Sequence, residues 1–146
     1  MPALYLGLDP GKQGGIVALS ATSVCGVWPM PATEADIWAI FSVDDRWLYT
    51  MAYIEGVHAM PKQGVTSAFT FGKGYGALLM ALTAAGIPFE IVSPQKWQKA
   101  LGCLSRGDKN ITKRKAQQLF PQVKVTHAIA DALLIAEYGR RLHQGR

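Results

Sequence analysis

Leu4-Tyr5-Leu6-Gly7-Leu8-Asp9-Pro10-Gly11 is the stretch on which the fold turns. An apolar run closed by Pro-Gly reads as a buried strand over 4–8 ending in a turn, so Asp9 stands at the strand's carboxyl end, where apolar walls meet solvent. The arrangement recurs. Leu48-Tyr49-Thr50-Met51-Ala52-Tyr53-Ile54 is β-prone and runs into Glu55-Gly56. Two interior strands deliver their carboxylates to one edge of a sheet if they run parallel. Near the C-terminus, His127-Ala128-Ile129-Ala130-Asp131-Ala132-Leu133-Leu134-Ile135-Ala136 is helical and rich in small residues, and Asp131 sets one acid on an otherwise apolar face.

Working outward, residues 4–8, 14–20 and 23–29 read as three short strands joined by tight turns, an antiparallel meander. Thr33 suits the cap of a helix over 34–43, and residues 44–46 form a loop into the strand that ends at Glu55. Such a helical crossover sets that strand parallel to the first. Thr66 or Ser67 caps a long helix to about residue 85, ended by Gly86 and Pro88. Within it Gly72, Gly74 and Gly76 each cost about 1 kcal/mol relative to alanine, so close packing or a ligand should compensate. Their spacing fits neither a Walker A loop nor a dinucleotide fingerprint. Residues 89–92 make a fifth strand. Ser93 and Pro94 then open a helix, another spans 108–120, and the last runs over about 128–142.

With 146 residues, 49% of them hydrophobic and 17% charged, the chain is expected to form one domain with a substantial core over 1–146. No basic segment opens it and no apolar run reaches the roughly 18 residues of a membrane span, so a soluble, non-secreted protein without membrane partners is expected. Cys25 and Cys103 are too few and too scattered for a zinc site and read as ordinary thiols. The net charge of +5 is lopsided: residues 1–92 carry four Lys and Arg against seven Asp and Glu, and residues 93–146 carry eleven against three. A basic third of this kind suits a polyanion, because phosphate neutralisation with counterion release drives nucleic-acid binding, although a solvated helical face has the same composition.

Carboxylates gathered at one sheet edge repel one another and need protons or cations for neutrality. Oxygen ligands favour Mg2+ or Mn2+, and a pair of such ions can activate water and stabilise the leaving oxygen in phosphodiester hydrolysis. Structural roles remain open for two of the acids: Asp9 before Pro-Gly also suits a turn brace, and Glu55 a partner for lysine. Asp131 among Ala, Leu and Ile must be paired, metal-bound or costly.

Leu6-Gly7-Leu8-Asp9-Pro10-Gly11, Ile54-Glu55 and Ala130-Asp131-Ala132-Leu133-Leu134-Ile135-Ala136 together resemble the RuvC family of Holliday-junction resolvases, especially its phage and organellar branch. That resemblance extends to Glu55-Gly56-Val57, Met60-Pro61, Gln63-Gly64, Ser67, Phe71-Gly72, Gly76 and Val92-Ser93-Pro94-Gln95-Lys96-Trp97. It implies an α/β, ribonuclease H-like fold: a five-stranded mixed sheet, three strands in an antiparallel meander plus two parallel strands, flanked by helices. It further implies a homodimeric endonuclease that nicks paired strands of a four-way DNA junction, with two divalent ions per subunit, Mg2+ or Mn2+, and no nucleotide cofactor. The setting would be cytoplasmic, that of a bacterial host if phage-encoded, or an organellar matrix.

By position, Asp9, Glu55 and Asp131 match the family's acids, as catalytic groups and metal ligands. A fourth acid is common three residues before the last; here Ala128 stands there, and His127, four residues before Asp131 and on its face if the helix starts early enough, is the candidate in its place. DNA contacts are expected from His58, Lys62, Gln63 and Ser67 after Glu55, and from Lys96, Lys99, Lys109, Lys113, Arg114 and Lys115. The last three are consecutive and cannot all face one way. Trp97 reads as core. Dimer contacts are expected along the long helix through Phe71, Tyr75, Leu78, Leu79 and Leu82, with Gly72 and Gly76 permitting close approach. A sugar-kinase or actin-like reading needs two domains and a longer chain. Two alternatives remain: a broader flap or fork nuclease, and a catalytically impaired branched-DNA binder of the same fold.

Overall fold

The computed structural model describes residues 3–42, 49–57 and 62–145. The loop expected at 44–46 and His58 lie outside the described residues. β1 (Leu4–Asp9), β2 (Gly15–Leu19) and β3 (Val24–Pro29) form the expected meander, and α1 (Glu34–Phe41) leads to β4 (Tyr49–Glu55). α2 (Val65–Ala84), β5 (Phe89–Val92), α3 (Pro94–Ala100), α4 (Lys109–Leu119) and α5 (His127–His143) complete the chain. The sheet order is β3-β2-β1-β4-β5. β1 pairs antiparallel with β2 and parallel with β4, and β4 pairs parallel with β5, as expected.

Local chemistry explains most boundaries. Thr33 accepts the Asp36 N–H at 3.1 Å to cap α1, Ser93 accepts the Lys96 N–H at 3.2 Å ahead of Pro94, and Asp108 accepts the Asn110 N–H at 3.0 Å to cap α4. α2 departs from expectation. It begins at Val65, ahead of Thr66 and Ser67, with Gly64 at the cap and no side-chain hydrogen bond there. The first turn closes instead through the Ala68 N–H on the Gly64 carbonyl at 2.9 Å.

Strand alternation sorts the core into two layers. Leu6, Leu8, Ala52 and Ile54 point to one face, where they meet Ile37, Ile40 and Phe41 of α1 and Leu78 and Leu82 of α2. The opposite face carries Tyr53 and is covered by α5, whose residues 132–136 are fully buried, together with Trp97 of α3 and Ala116 of α4. Gly7 lets α5 lie directly on β1, because a Cβ there would overlap the Ala132 carbonyl oxygen and the Ala136 backbone nitrogen. At the helix's far end, buried Glu137 accepts from Arg140 Nε at 2.7 Å and Arg141 Nε at 2.9 Å, and Arg140 also donates to the Ser20 carbonyl at 3.0 Å. That clamp fixes α5 against the turn between β2 and β3.

Candidate active site

Register brings the first two acids together. Leu8 of β1 pairs with Ile54 of β4, so Asp9 and Glu55, each one residue further on, leave the sheet side by side at the carboxyl ends of adjacent parallel strands. Both lie on the face opposite Leu8 and Ile54, the face that α5 covers. Glu55 is held further by β5: it pairs with Val92, and the following Gly56 N–H donates to the Val92 carbonyl at 2.7 Å. Asp131 comes down from the second turn of α5, which Gly7 seats on β1.

The three carboxyls act on one another electrostatically. Asp9 is 9% exposed, and burial pushes its carboxyl up to about 8, with the charges of Asp131 and Glu55 adding to the rise and Lys109 opposing it. Burial also raises Glu55, the Trp97 hydrogen bond lowers it, Asp131 raises it and Lys109 lowers it. Three acids from β1, β4 and α5 therefore share one field, and Lys109 at the start of α4 is the cation that acts on both strand acids. The donor set is all oxygen and its charges repel, the chemistry a hard divalent cation relieves. Among the described residues, no three His, Cys, Asp or Glu side chains converge tightly enough to hold an ion as they stand.

A cleft of about 490 Å³ opens from this edge, and Glu55, Asp131, Gln98, Arg106 and Lys109 are among the residues that line it. Asp9, more deeply buried, does not line it. The 101–107 loop that closes it is pinned: Gln98 Oε1 accepts from the Ser105 N–H at 3.0 Å and the Ser105 hydroxyl at 3.1 Å. Arg106 takes a left-handed backbone (φ 52°) beside Gly107 (φ 94°), a conformation uncommon outside glycine.

The other expected site residues fall at varied distances from the cleft. His127 is exposed at the first position of α5, one turn before Asp131 on the same helix face, and does not line the cleft; half-buried Ala128 follows it. Lys113 and Arg114 share a shallow hollow on α4 with Asn110 and Gln117, whereas Lys115 turns toward buried Cys103, whose thiol burial raises and Lys115 lowers. Lys96 lies 3.9 Å from Glu90 on β5. Lys62, Ser67 and Lys99 are exposed, and Gln63 is half-buried.

Two features of the site escaped the sequence. Trp97 is core, as expected, but its indole Nε1 also donates to Glu55 Oε2 at 2.8 Å. The signal was generic: a buried indole N–H needs an acceptor, which composition cannot name. Arg106 was not singled out, although Arg-Gly after Ser105 is a turn signal.

No protein-family model matches the chain, and no curated protein does either. Solved structures do. The chain is similar to Thermus thermophilus RuvC in complex with a Holliday junction substrate, at a TM-score of 0.69 and 19% identity, over 98% of this chain and 96% of that one. It is also similar to a second Thermus thermophilus RuvC structure, at a TM-score of 0.64 and 22% identity, over 97% and 96% of the two chains. Over nearly its whole length the chain has a RuvC-like, ribonuclease H-like fold, a five-stranded mixed sheet flanked by helices.

Proposed function

We propose that this protein is a divalent-metal-dependent endonuclease that resolves four-way DNA junctions by phosphodiester hydrolysis, acting as a homodimer. The observation that carries the reading is the meeting of Asp9, Glu55 and Asp131, from β1, β4 and α5, at one sheet edge in a RuvC-like fold. Those three carboxylates would hold the metal, with His127 one turn from Asp131 as a further candidate. Bound Mg2+ or Mn2+ supplies an activated water and stabilisation of the leaving oxygen. The chain's own residues do the rest. Glu55 and Asp131 line the cleft where a phosphate would enter, Lys109 and Arg106 offer positive charge in the same cleft, and Lys113 and Arg114 extend that charge along α4.

The dimer reading rests on α2. Leu78 and Leu82, expected at the dimer contact, belong to the core instead. What α2 leaves outside is a stripe at helical spacing, Val65, Phe69, Gly72, Gly76 and Met80, with Val65 87%, Phe69 72% and Met80 64% exposed. A Cβ at Gly72 or Gly76 would meet nothing within 4 Å, so no packing within the described chain compensates these glycines. An apolar stripe with a flat centre suits a second copy of the same helix. The functional test is cleavage of a synthetic four-way junction beside flap, fork and duplex DNA, with Mg2+ or Mn2+ and with chelator.

A further inference from the structure

Trp97 is buried completely, in the same core cluster as Val92, Leu101, Leu133 and Leu134. Its one polar atom, Nε1, points at Glu55 Oε2 from 2.8 Å, across a sequence separation of 42 residues. An indole N–H is a donor only and carries its proton at every working pH, so this contact has one polarity and cannot switch off. The ring cannot drift either. α3 is capped by Ser93 and opened by Pro94, directly after the strand residue Val92 that pairs with Glu55. The same short segment thus holds Glu55 twice, by its backbone through β5 and by its carboxylate through the indole.

We propose that Trp97 is a positioning residue: it fixes the Glu55 carboxylate by one oxygen and leaves the other to face the cleft and a divalent cation. Among the described residues no other donor reaches that carboxylate. Ligand carboxylates are ordinarily held by hydrogen-bonding partners of their own, and losing such a partner typically costs about 10–100-fold in metal affinity or activity. A residue chosen for packing alone would need no N–H, since phenylalanine or leucine fills apolar volume without a buried donor to satisfy. The inference rests on the reading of Glu55 as a metal ligand, and the experiment separates the two.

The test compares the wild-type chain, Trp97→Phe and Glu55→Gln. Mn2+ binding is measured by titration calorimetry, junction binding by gel shift with Ca2+ in place of the active metal, and the indole N–H signals by NMR of chain labelled with 15N-tryptophan. Trp97→Phe keeps an aromatic ring and removes the donor, so it should weaken Mn2+ binding about 10–100-fold while junction affinity stays close to wild type; the smaller ring leaves a cavity and lowers the folding midpoint, so binding is compared at temperatures where both chains are folded. The Trp97 indole signal should lie downfield in the wild-type chain and move upfield in Glu55→Gln, whose neutral amide oxygen accepts more weakly than a carboxylate. It is assigned by its absence from Trp97→Phe, or by substituting the other three tryptophans if that variant does not fold. Equal Mn2+ affinity in wild type and Trp97→Phe, or an indole signal indifferent to Glu55→Gln, overturns the positioning role and leaves the nuclease reading standing. Absence of Mn2+ binding by the wild-type chain overturns the nuclease reading, and the role of Trp97 with it.

Discussion

Asp9 is the residue whose chemistry most distinguishes the site from an ordinary strand end. Its folded carboxyl stands near 8 against an ordinary value of 3.8, so the folded chain holds a proton that the unfolded chain has released. The stabilisation this represents is full below the unfolded value and is lost as pH rises from about 4 toward about 8. In chelator, the wild-type chain should therefore lose thermal stability across that range relative to Asp9→Asn, whose side chain does not titrate; parallel melting curves for the two would contradict the assignment. A cation at the site reverses the preference, since it favours the ionised carboxylate. Cleavage should fall at least about 100-fold in Asp9→Asn, Glu55→Gln and Asp131→Asn. His127→Ala should lower it about tenfold with junction binding intact, because the imidazole stands a single turn from Asp131 without lining the cleft. Wild-type cleavage by His127→Ala would return that histidine to an exposed helix start.

At the scale of elements, what the sequence made legible was local. Pro-Gly closed β1 after Asp9, and Thr33 and Ser93 capped helices within three residues of their partners. What escaped was either non-local or lacked a side-chain signal. The Trp97–Glu55 bond joins residues 42 apart, and its acceptor exists only once β5 lies against β4. α2 starts at Val65 through a backbone hydrogen bond to Gly64, which no capping side chain announces. The same helix yields the element's own test. Its Phe69 is largely exposed, and a Cβ at Gly72 or Gly76 meets nothing in the described chain, so Phe69→Asp or Gly72→Glu should leave folding near wild type and shift sedimentation from dimer to monomer. Dimer sedimentation by both variants would move the interface elsewhere.

Across the whole molecule, the basic third divides into structural and free charge. Arg140 and Arg141 are committed to Glu137 and Lys96 stands near Glu90, whereas Lys109, Lys113 and Arg114 line the cleft and the outer hollow of α4 on one side of the fold. Charge reversal at Lys113 or Arg114 should weaken DNA binding irrespective of sequence and flatten its salt dependence by about one unit of slope each, while reversal at Lys96 should change the slope less. Equal slopes for all three would make the α4 face a solvated one. The most direct measurement follows a four-way junction labelled in turn on each strand, incubated with the chain and Mg2+ or Mn2+. Paired nicks at symmetric positions on two opposed strands, absent with chelator or with Asp9→Asn, are the predicted result, and an uncut junction, or one cut as readily in chelator, would contradict it.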